Sequence, residues 1–256
     1  MKKIGFIDYY LDEWHANNYP KFIKDAVGDE FVIAYAYGEI DKPDGKTNRE
    51  WADSFGVELL GSIDEVVEKS DVLIVLSPDN PERHWELCQK PFRSGKRVYV
   101  DKTFAPSKKT AEDLVKLAEE NNTPFFSSRG PGDFDTYAIH QIEPITMLMG
   151  AEATRVMAVG AGMHQTVVIA FKGGRSAVMS HYGWSGVDFN MTVSYADGST
   201  TVVPALSNSF PNFIKAMCDF FRTGEIKAAH EDTVAIMGII EAGNKAIANP
   251  GVWIEV

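Results

Sequence analysis

Two cysteines, Cys88 and Cys218, are all that this chain of 256 residues carries. That is too few for a disulfide framework. Both sit in segments read as helices, so two buried thiols are expected, and a cytoplasmic location follows by default. No uninterrupted apolar run approaches the roughly 18 residues that a membrane-spanning helix needs. The opening MKKIGFID turns acidic too soon for a signal peptide. Positive charge is scarce as well: 25 Lys and Arg stand against 36 Asp and Glu, a formal net charge of −11. Such a field repels nucleic acid and anionic membranes, so neither is an expected partner, whereas a neutral small molecule feels little of it. The six histidines and the acids show no spacing that suits a metal site. Repeats and low-complexity tracts are also missing.

What is present is ordinary globular composition, 45% hydrophobic and 24% charged. The length suits two modest domains. The most informative stretch is His84–Thr103, HWELCQKPFRSGKRVYVDKT. It follows the apolar run Asp71–Leu76, which breaks at Ser77-Pro78. The pattern predicts a buried strand, a polar loop, a helix over 84–93, a turn at Gly95, and a second buried strand at Val98–Val100. That second strand delivers Asp101 and Lys102 at its carboxyl end, where open α/β sheets bind ligands.

The rest of the first half alternates strand and helix. Lys3–Ile7, Phe31–Tyr37 and Thr123–Ser127 read as strands. Asn18–Val27, Asn48–Phe55 and Ser62–Glu68 read as helices, the last with Ser62 as N-cap and Glu65 three residues on. Ser107 caps Lys108–Asn121, whose Ala111, Leu114, Val115 and Ala118 form one apolar stripe. Such βαβ alternation implies a doubly wound, largely parallel sheet. The breaker cluster Arg129-Gly130-Pro131-Gly132 marks a boundary. Beyond it come a helix, Tyr137–Met149, and period-two runs at 154–159, 165–171, 175–181, 189–195 and 200–203. Helices 211–222 and 231–248 close the chain. The expected architecture is a Rossmann-like α/β domain over 1–128, then an α+β domain with an antiparallel sheet over 129–256.

These residues resemble the Gfo/Idh/MocA family of sugar and polyol oxidoreductases. Ser77-Pro78, His84, Gly95-Lys96-Arg97-Val98 and Asp101-Lys102-Thr103 fall in the register of that family's Thr/Ser-Pro, His, Gly-Lys-x-Val and Glu-Lys-Pro elements. Glu231-Asp232-Thr233 and Ile239–Ala246 are similar to its closing helix. The resemblance implies a sugar or polyol substrate, NAD or NADP as cofactor, and a homo-oligomer. It also implies that Lys102 and His140 contact the substrate carbinol, with His140 as base and Lys102 as electrophilic clamp. Thr136 stands where the family often has Asp, with Asp135 beside it. Tyr137 and Glu143 flank His140 at i−3 and i+3 on one helical face. His181 and Trp184, with Tyr182, follow a sheet strand that could wall the substrate pocket.

The departure from the family lies after the first strand. A dinucleotide fold needs Gly-x-Gly-x-x-Gly there, so that the backbone can approach the pyrophosphate. Here Asp8 and Tyr10 replace the first two loop glycines, and Asp8, Asp12 and Glu13 would repel a pyrophosphate. His15 lies on the loop where a cofactor or substrate would sit. Asp8, Tyr10, His15, Ser77, Pro78 and Asp101 are therefore the positions expected around a cofactor. Without one, the same pocket suits proton chemistry on an oxidised sugar, elimination or epimerisation, or plain sugar binding. Val167, Ile169, Val178 and Val193 are candidates for an apolar face that pairs with another copy; alternatively they face their own helices.

Overall fold

The structure is a computed structural model that describes residues 1–127, 138–161, 164–181, 190–204 and 208–256. It divides into two compact units, one of residues 1–129 with 211–237 and one of 130–210 with 238–256.

In the first unit six parallel strands form one sheet. They are β1 (Lys2–Asp8), β2 (Phe31–Gly38), β3 (Glu58–Leu59), β4 (Val72–Val75), β5 (Val98–Val100) and β6 (Phe125–Ser127). Their spatial order, β3-β2-β1-β4-β5-β6, reverses direction at β1 and β4. That is the switch point at which a crevice opens beyond the carboxyl ends of the strands. Residues on both faces are buried, as the continuous apolar runs of β1, β4 and β5 require; Ile4, Phe6, Ile74, Val75, Tyr99 and Val100 are fully enclosed. Register sets the site: Ile7 pairs with Val75 and Val75 with Val100, so Asp8, Leu76 and Asp101 emerge level with one another.

The helices between these strands are α1 (Trp14–Val27), α2 (Asn48–Phe55), α3 (Ile63–Lys69), α4 (His84–Leu87) and α5 (Lys108–Glu120). Side chains capture the orphan N–H groups at several starts. Thr47 and Glu50 form a reciprocal capping box on α2, Ser62 accepts from Glu65 N on α3, and Ser107 accepts from Thr110 N on α5. Helix α3 lies directly on β1: a Cβ added at Gly5 would meet Ser70 Oγ at 2.3 Å and Val66 Cγ1 at 2.4 Å. Lys96 of the Gly-Lys-x-Val element holds the C-terminal end of that helix. Its ammonium donates to the carbonyls of Val67 and Ser70, the latter at 2.6 Å. A cation there also meets the negative end of the helix dipole. Its role is thus structural.

The second unit holds α6 (Ile139–Met149) and an antiparallel sheet of β7 (Ala153–Ala161), β8 (His164–Phe171) and β9 (Ser176–His181), with β12 (Ile254–Glu255) at the edge beside β7. A separate hairpin joins β10 (Met191–Ser194) to β11 (Thr200–Val203). Val156, Ala158, Val167, Ile169, Phe171 and Met179 are the buried face of the larger sheet. Val167 and Ile169 therefore face the unit's own interior rather than an open surface, whereas Val178 is exposed.

Two further expectations change. The helix read over 84–93 is a single α-helical turn, α4, followed by a 3₁₀ turn at Pro91–Arg93. Pro91 has no N–H to continue the ladder. The closing helices are α7 (Ser209–Thr223) and α8 (His230–Ala248). Residues 211–237, read from sequence as part of the second domain, cluster with the first unit. Specific contacts account for this. The Arg97 guanidinium donates to the carbonyls of Phe221 and Arg222 at 2.8 and 3.0 Å. Phe221 lies against Phe31, and Phe213 against Tyr99. His230 stacks on Phe125 with ring centroids 4.1 Å apart. Both cysteines are free and buried. No helix among the described residues is long and apolar enough to cross a membrane.

Replacing Lys96 with Met keeps the aliphatic stem and removes the ammonium that caps α3. Urea unfolding should show a loss of about 1.5–3 kcal/mol, the range for hydrogen bonds to a charged group. An unchanged midpoint would mean that the cap contributes nothing.

Candidate functional site

The carboxyl ends of β1, β4 and β5 gather an unusual set of buried polar groups. Lys102 is enclosed, and its ammonium donates to the Pro78 carbonyl at 3.2 Å. The Lys102–Thr103 peptide is cis. Ser77, just past β4, holds a left-handed backbone (φ 86°) and donates its hydroxyl to Asn80 O at 2.9 Å, which shapes the loop that presents Pro78. His84 ties this loop region together from beneath. Its Nε2 lies 2.5 Å from Leu76 O and its Nδ1 3.1 Å from Phe104 O. Burial pushes its pKa down. Asp101 is anchored by the Tyr99 hydroxyl, which donates to Oδ1 at 2.8 Å, while Tyr19 Oη lies 3.4 Å from Tyr99 Oη.

The loop after β1 supplies the other half. Glu13 is the N-cap of α1: one carboxylate oxygen accepts from His15 N at 2.7 Å and the other from Ala16 N. The first of these oxygens also lies 3.0 Å from His15 Nδ1, and Asp101 Oδ2 lies 3.4 Å from the same nitrogen. His15 is thereby held between two carboxylates from different strand ends. Burial draws its pKa down, but Asp101 and Glu13 outweigh that and leave it raised. Burial raises the pKa of Glu13 against the opposing pull of His15. Asp8 is pushed well up, by burial first and then by the nearby charges of Glu13 and Asp101. Its Oδ1 accepts from Tyr9 N at 2.7 Å, whereas its buried Oδ2 has no hydrogen-bond partner. Burial also raises the Tyr10 hydroxyl to about 12.

A dinucleotide requires free N–H groups at the start of α1 and room for its pyrophosphate. Neither is offered here. The helix start already binds an anion, the Glu13 carboxylate, and Asp8 stands beneath it. The neighbouring loops are tied to each other: Glu39 N donates to Asp8 O, Ile40 N to Tyr9 O, and Leu11 N to Asn48 Oδ1 at 2.9 Å. Glu39 and Asp41, the acids that could meet a ribose, are engaged by the Arg83 guanidinium and by Asn48 N. Residues 8–15 do not fit the pyrophosphate of a nicotinamide dinucleotide.

The sequence reading thus located this crevice but divided its roles differently. Of the six positions expected around a cofactor, Asp8, His15 and Asp101 form one cluster with Glu13 and Lys102. Tyr10, Ser77 and Pro78 shape its rim. Glu13, Tyr19 and Tyr99 were not assigned a role in the site. Tyr99 was within reach of strand alternation, which puts it on the same side of β5 as Asp101. In the second unit, half-buried His140 and Glu143 lie one turn apart on α6, whose Gln141 side chain donates to Ser180 O at 3.0 Å. His181 ends β9, paired with Gln165. Tyr137, Tyr182 and Trp184 lie outside the described residues. Among the described residues no group of three or more His, Cys, Asp or Glu is arranged to hold a metal ion.

The Asp8 carboxyl has a higher pKa folded than unfolded, so folding disfavours its charged form. The penalty is absent below the ordinary Asp range and grows as pH rises toward the folded value. Asp8→Asn, which imitates the protonated acid, should therefore raise the melting temperature at pH 8 and leave it unchanged at pH 3. The expected gain is about 2–4 °C per kcal/mol recovered. A loss at pH 8 measured by calorimetry would show that the charge is stabilising instead.

Comparison with known proteins agrees with this framework. Residues 34–128 match the family model for Gfo/Idh/MocA proteins, described as an oxidoreductase family with an NAD-binding Rossmann fold. The match begins downstream of the loop at 8–15. An uncharacterized oxidoreductase of Schizosaccharomyces pombe is 30% identical over 83 residues, 31% of this chain and 22% of that protein. The uncharacterized oxidoreductase YhhX of Escherichia coli is 29% identical over 76 residues, 28% of this chain and again 22% of the relative. The matched segments thus span about a fifth of the length of these relatives. Among solved structures, the scyllo-inositol dehydrogenase of Lactobacillus casei, with NAD(H) and scyllo-inositol bound, shares the fold with a TM-score of 0.73 at 13% identity, covering 99% of this chain and 98% of that one. Over residues 34–128, then, this chain is similar to the Gfo/Idh/MocA oxidoreductase family.

Proposed function

We propose that this chain is an enzyme that acts on a small polyhydroxylated molecule, a sugar or polyol, with Lys102 as the clamp on a substrate oxygen and His140 as the base. The observation that carries this reading is the buried ammonium of Lys102 at the carboxyl end of β5. It occupies the register of the family's lysine, inside the segment that the family model matches. A desolvated ammonium stabilises negative charge as it develops on oxygen far better than it would in water. Removal of the carbinol proton by an imidazole leaves that charge on the oxygen which Lys102 faces.

The match of residues 34–128 to the family model supports a nicotinamide cofactor and hence dehydrogenation of the carbinol. The Glu13 cap on α1 favours a second reading, in which the site performs proton transfer alone on a substrate that is already oxidised. Both readings need Lys102; only the first needs a dinucleotide.

Calorimetric titration with NAD(H) and NADP(H) separates them. The Glu13 cap predicts no binding at millimolar concentration; a micromolar Kd would establish the dehydrogenase reading. Lys102→Ala should lower turnover by about 100- to 1,000-fold, the usual effect of removing one oxyanion donor, with the fold unchanged by circular dichroism. His140→Ala should cost about 100- to 10,000-fold, the usual contribution of a general base. Turnover near normal in both variants would dismiss the assignment.

A further inference from the structure

We propose that His15, in the first unit, is a general base of this site, presenting Nε2 to a carbon acid beside the carbonyl of an oxidised sugar. This inference rests on the reading that Lys102 holds a substrate oxygen, and it gives the cofactor-free reaction its proton acceptor.

Geometry comes first. Nδ1 of His15 is hydrogen-bonded to Glu13 Oε2 at 3.0 Å, and Asp101 Oδ2 lies 3.4 Å from the same nitrogen as a nearby negative charge. A neutral imidazole carries one N–H, and the Glu13 carboxylate on Nδ1 places it there. The lone pair then lies on Nε2. A histidine oriented by a carboxylate on one nitrogen and reacting through the other is the arrangement that proton-transferring enzymes use repeatedly. Two carboxylates rather than one stabilise the imidazolium formed when Nε2 takes a proton. The ring is fixed further by edge contacts with Trp14 and Tyr19, at centroid distances of 5.1 and 5.5 Å. The side chain retains 10% of its surface exposed, so it is held without being sealed.

Lys102 follows Asp101 directly in the chain and lies near enough to His15 to oppose its positive charge. Clamp and base therefore flank one aspartate within one unit. The step balances without an oxidant. Nε2 removes the proton from the carbon next to the substrate carbonyl, and the C–H electron pair forms an enolate whose oxygen accepts from the Lys102 ammonium. Return of a solvent-exchanged proton from Nε2 to the same face completes the exchange. Alternatively, the imidazolium protonates a β-hydroxyl, which leaves as water while the enolate electrons form the new double bond.

The probe is 2-keto-inositol in D₂O with no nicotinamide present. The wild-type chain is expected to wash deuterium into the carbon beside the carbonyl, and His15→Gln to slow this by about 100-fold or more. Exchange that survives His15→Gln but falls in Lys102→Gln overturns the base assignment and leaves the Lys102 reading standing. Exchange missing from the wild-type chain overturns this inference and, with it, the proton-transfer reading; a dehydrogenase active with NAD(P) would still be detected separately by titration. Because His15→Gln also unpairs two buried carboxylates, a measurement on the unaltered chain stands beside it. Long-range ¹H–¹⁵N correlation of the neutral His15 ring should show the Nδ1–H tautomer. The Nε2–H tautomer would overturn the proposal whatever the variants do.

Discussion

The constraint on which this site depends is a single buried carboxylate placed at the start of a helix. A helix N-terminus carries unpaired N–H groups and a partial positive charge, and something negative must answer them. In α1 the answer is built into the chain: Glu13 caps its own helix. Once it does so, the next residue but one cannot point freely. His15 is drawn back onto the same carboxylate, and its ring comes to rest against Asp101 from β5. One cap therefore fixes a loop, orients an imidazole and ties β1 chemically to β5.

The electrostatics of this arrangement are uneven. Asp8, Glu13 and Asp101 are buried within mutual influence, with the His15 imidazole and the Lys102 ammonium beside them. Burying several charges costs stability unless they are paired and hydrogen-bonded. Here the pairing is incomplete, since Asp8 Oδ2 and Asp101 Oδ2 have no hydrogen-bond partner. The raised pKa of Asp8 is the chain's response, because a protonated acid relieves the repulsion. Strained protonation equilibria of this kind concentrate where proton chemistry is done.

Much of the framework was legible in the sequence. Helix α2 runs over the predicted residues because Thr47, Glu50 and Gly56 mark its ends with local chemistry. Strands β1, β4 and β5 announce themselves through continuous apolar runs. Helix α1 was harder: Trp14-His15 reads as loop, and its true start depends on Glu13 acting as a cap, an uncommon choice beside Ser, Thr, Asp and Asn. The break in 84–93 turned on one proline whose effect a periodic pattern does not weigh. The two-residue strands β3 and β12 are too short to leave a signature. For the site, Lys102 and Asp101 were legible because a strand ends at them. The partnership of His15 with Asp101 was not, since 86 residues separate them and only the register of β1, β4 and β5 brings their strand ends level.

The stitched loops beyond β1 and β2 carry an evolutionary consequence. Glu39 N to Asp8 O, Ile40 N to Tyr9 O and Leu11 N to Asn48 Oδ1 together tie the loops after β1 and β2 to each other. Removing any one of these bonds leaves the others, and removing Glu13 alone uncovers a helix start above a buried Asp8. Reopening the turn therefore takes several replacements together, whereas the walls of a small-molecule site can change one residue at a time.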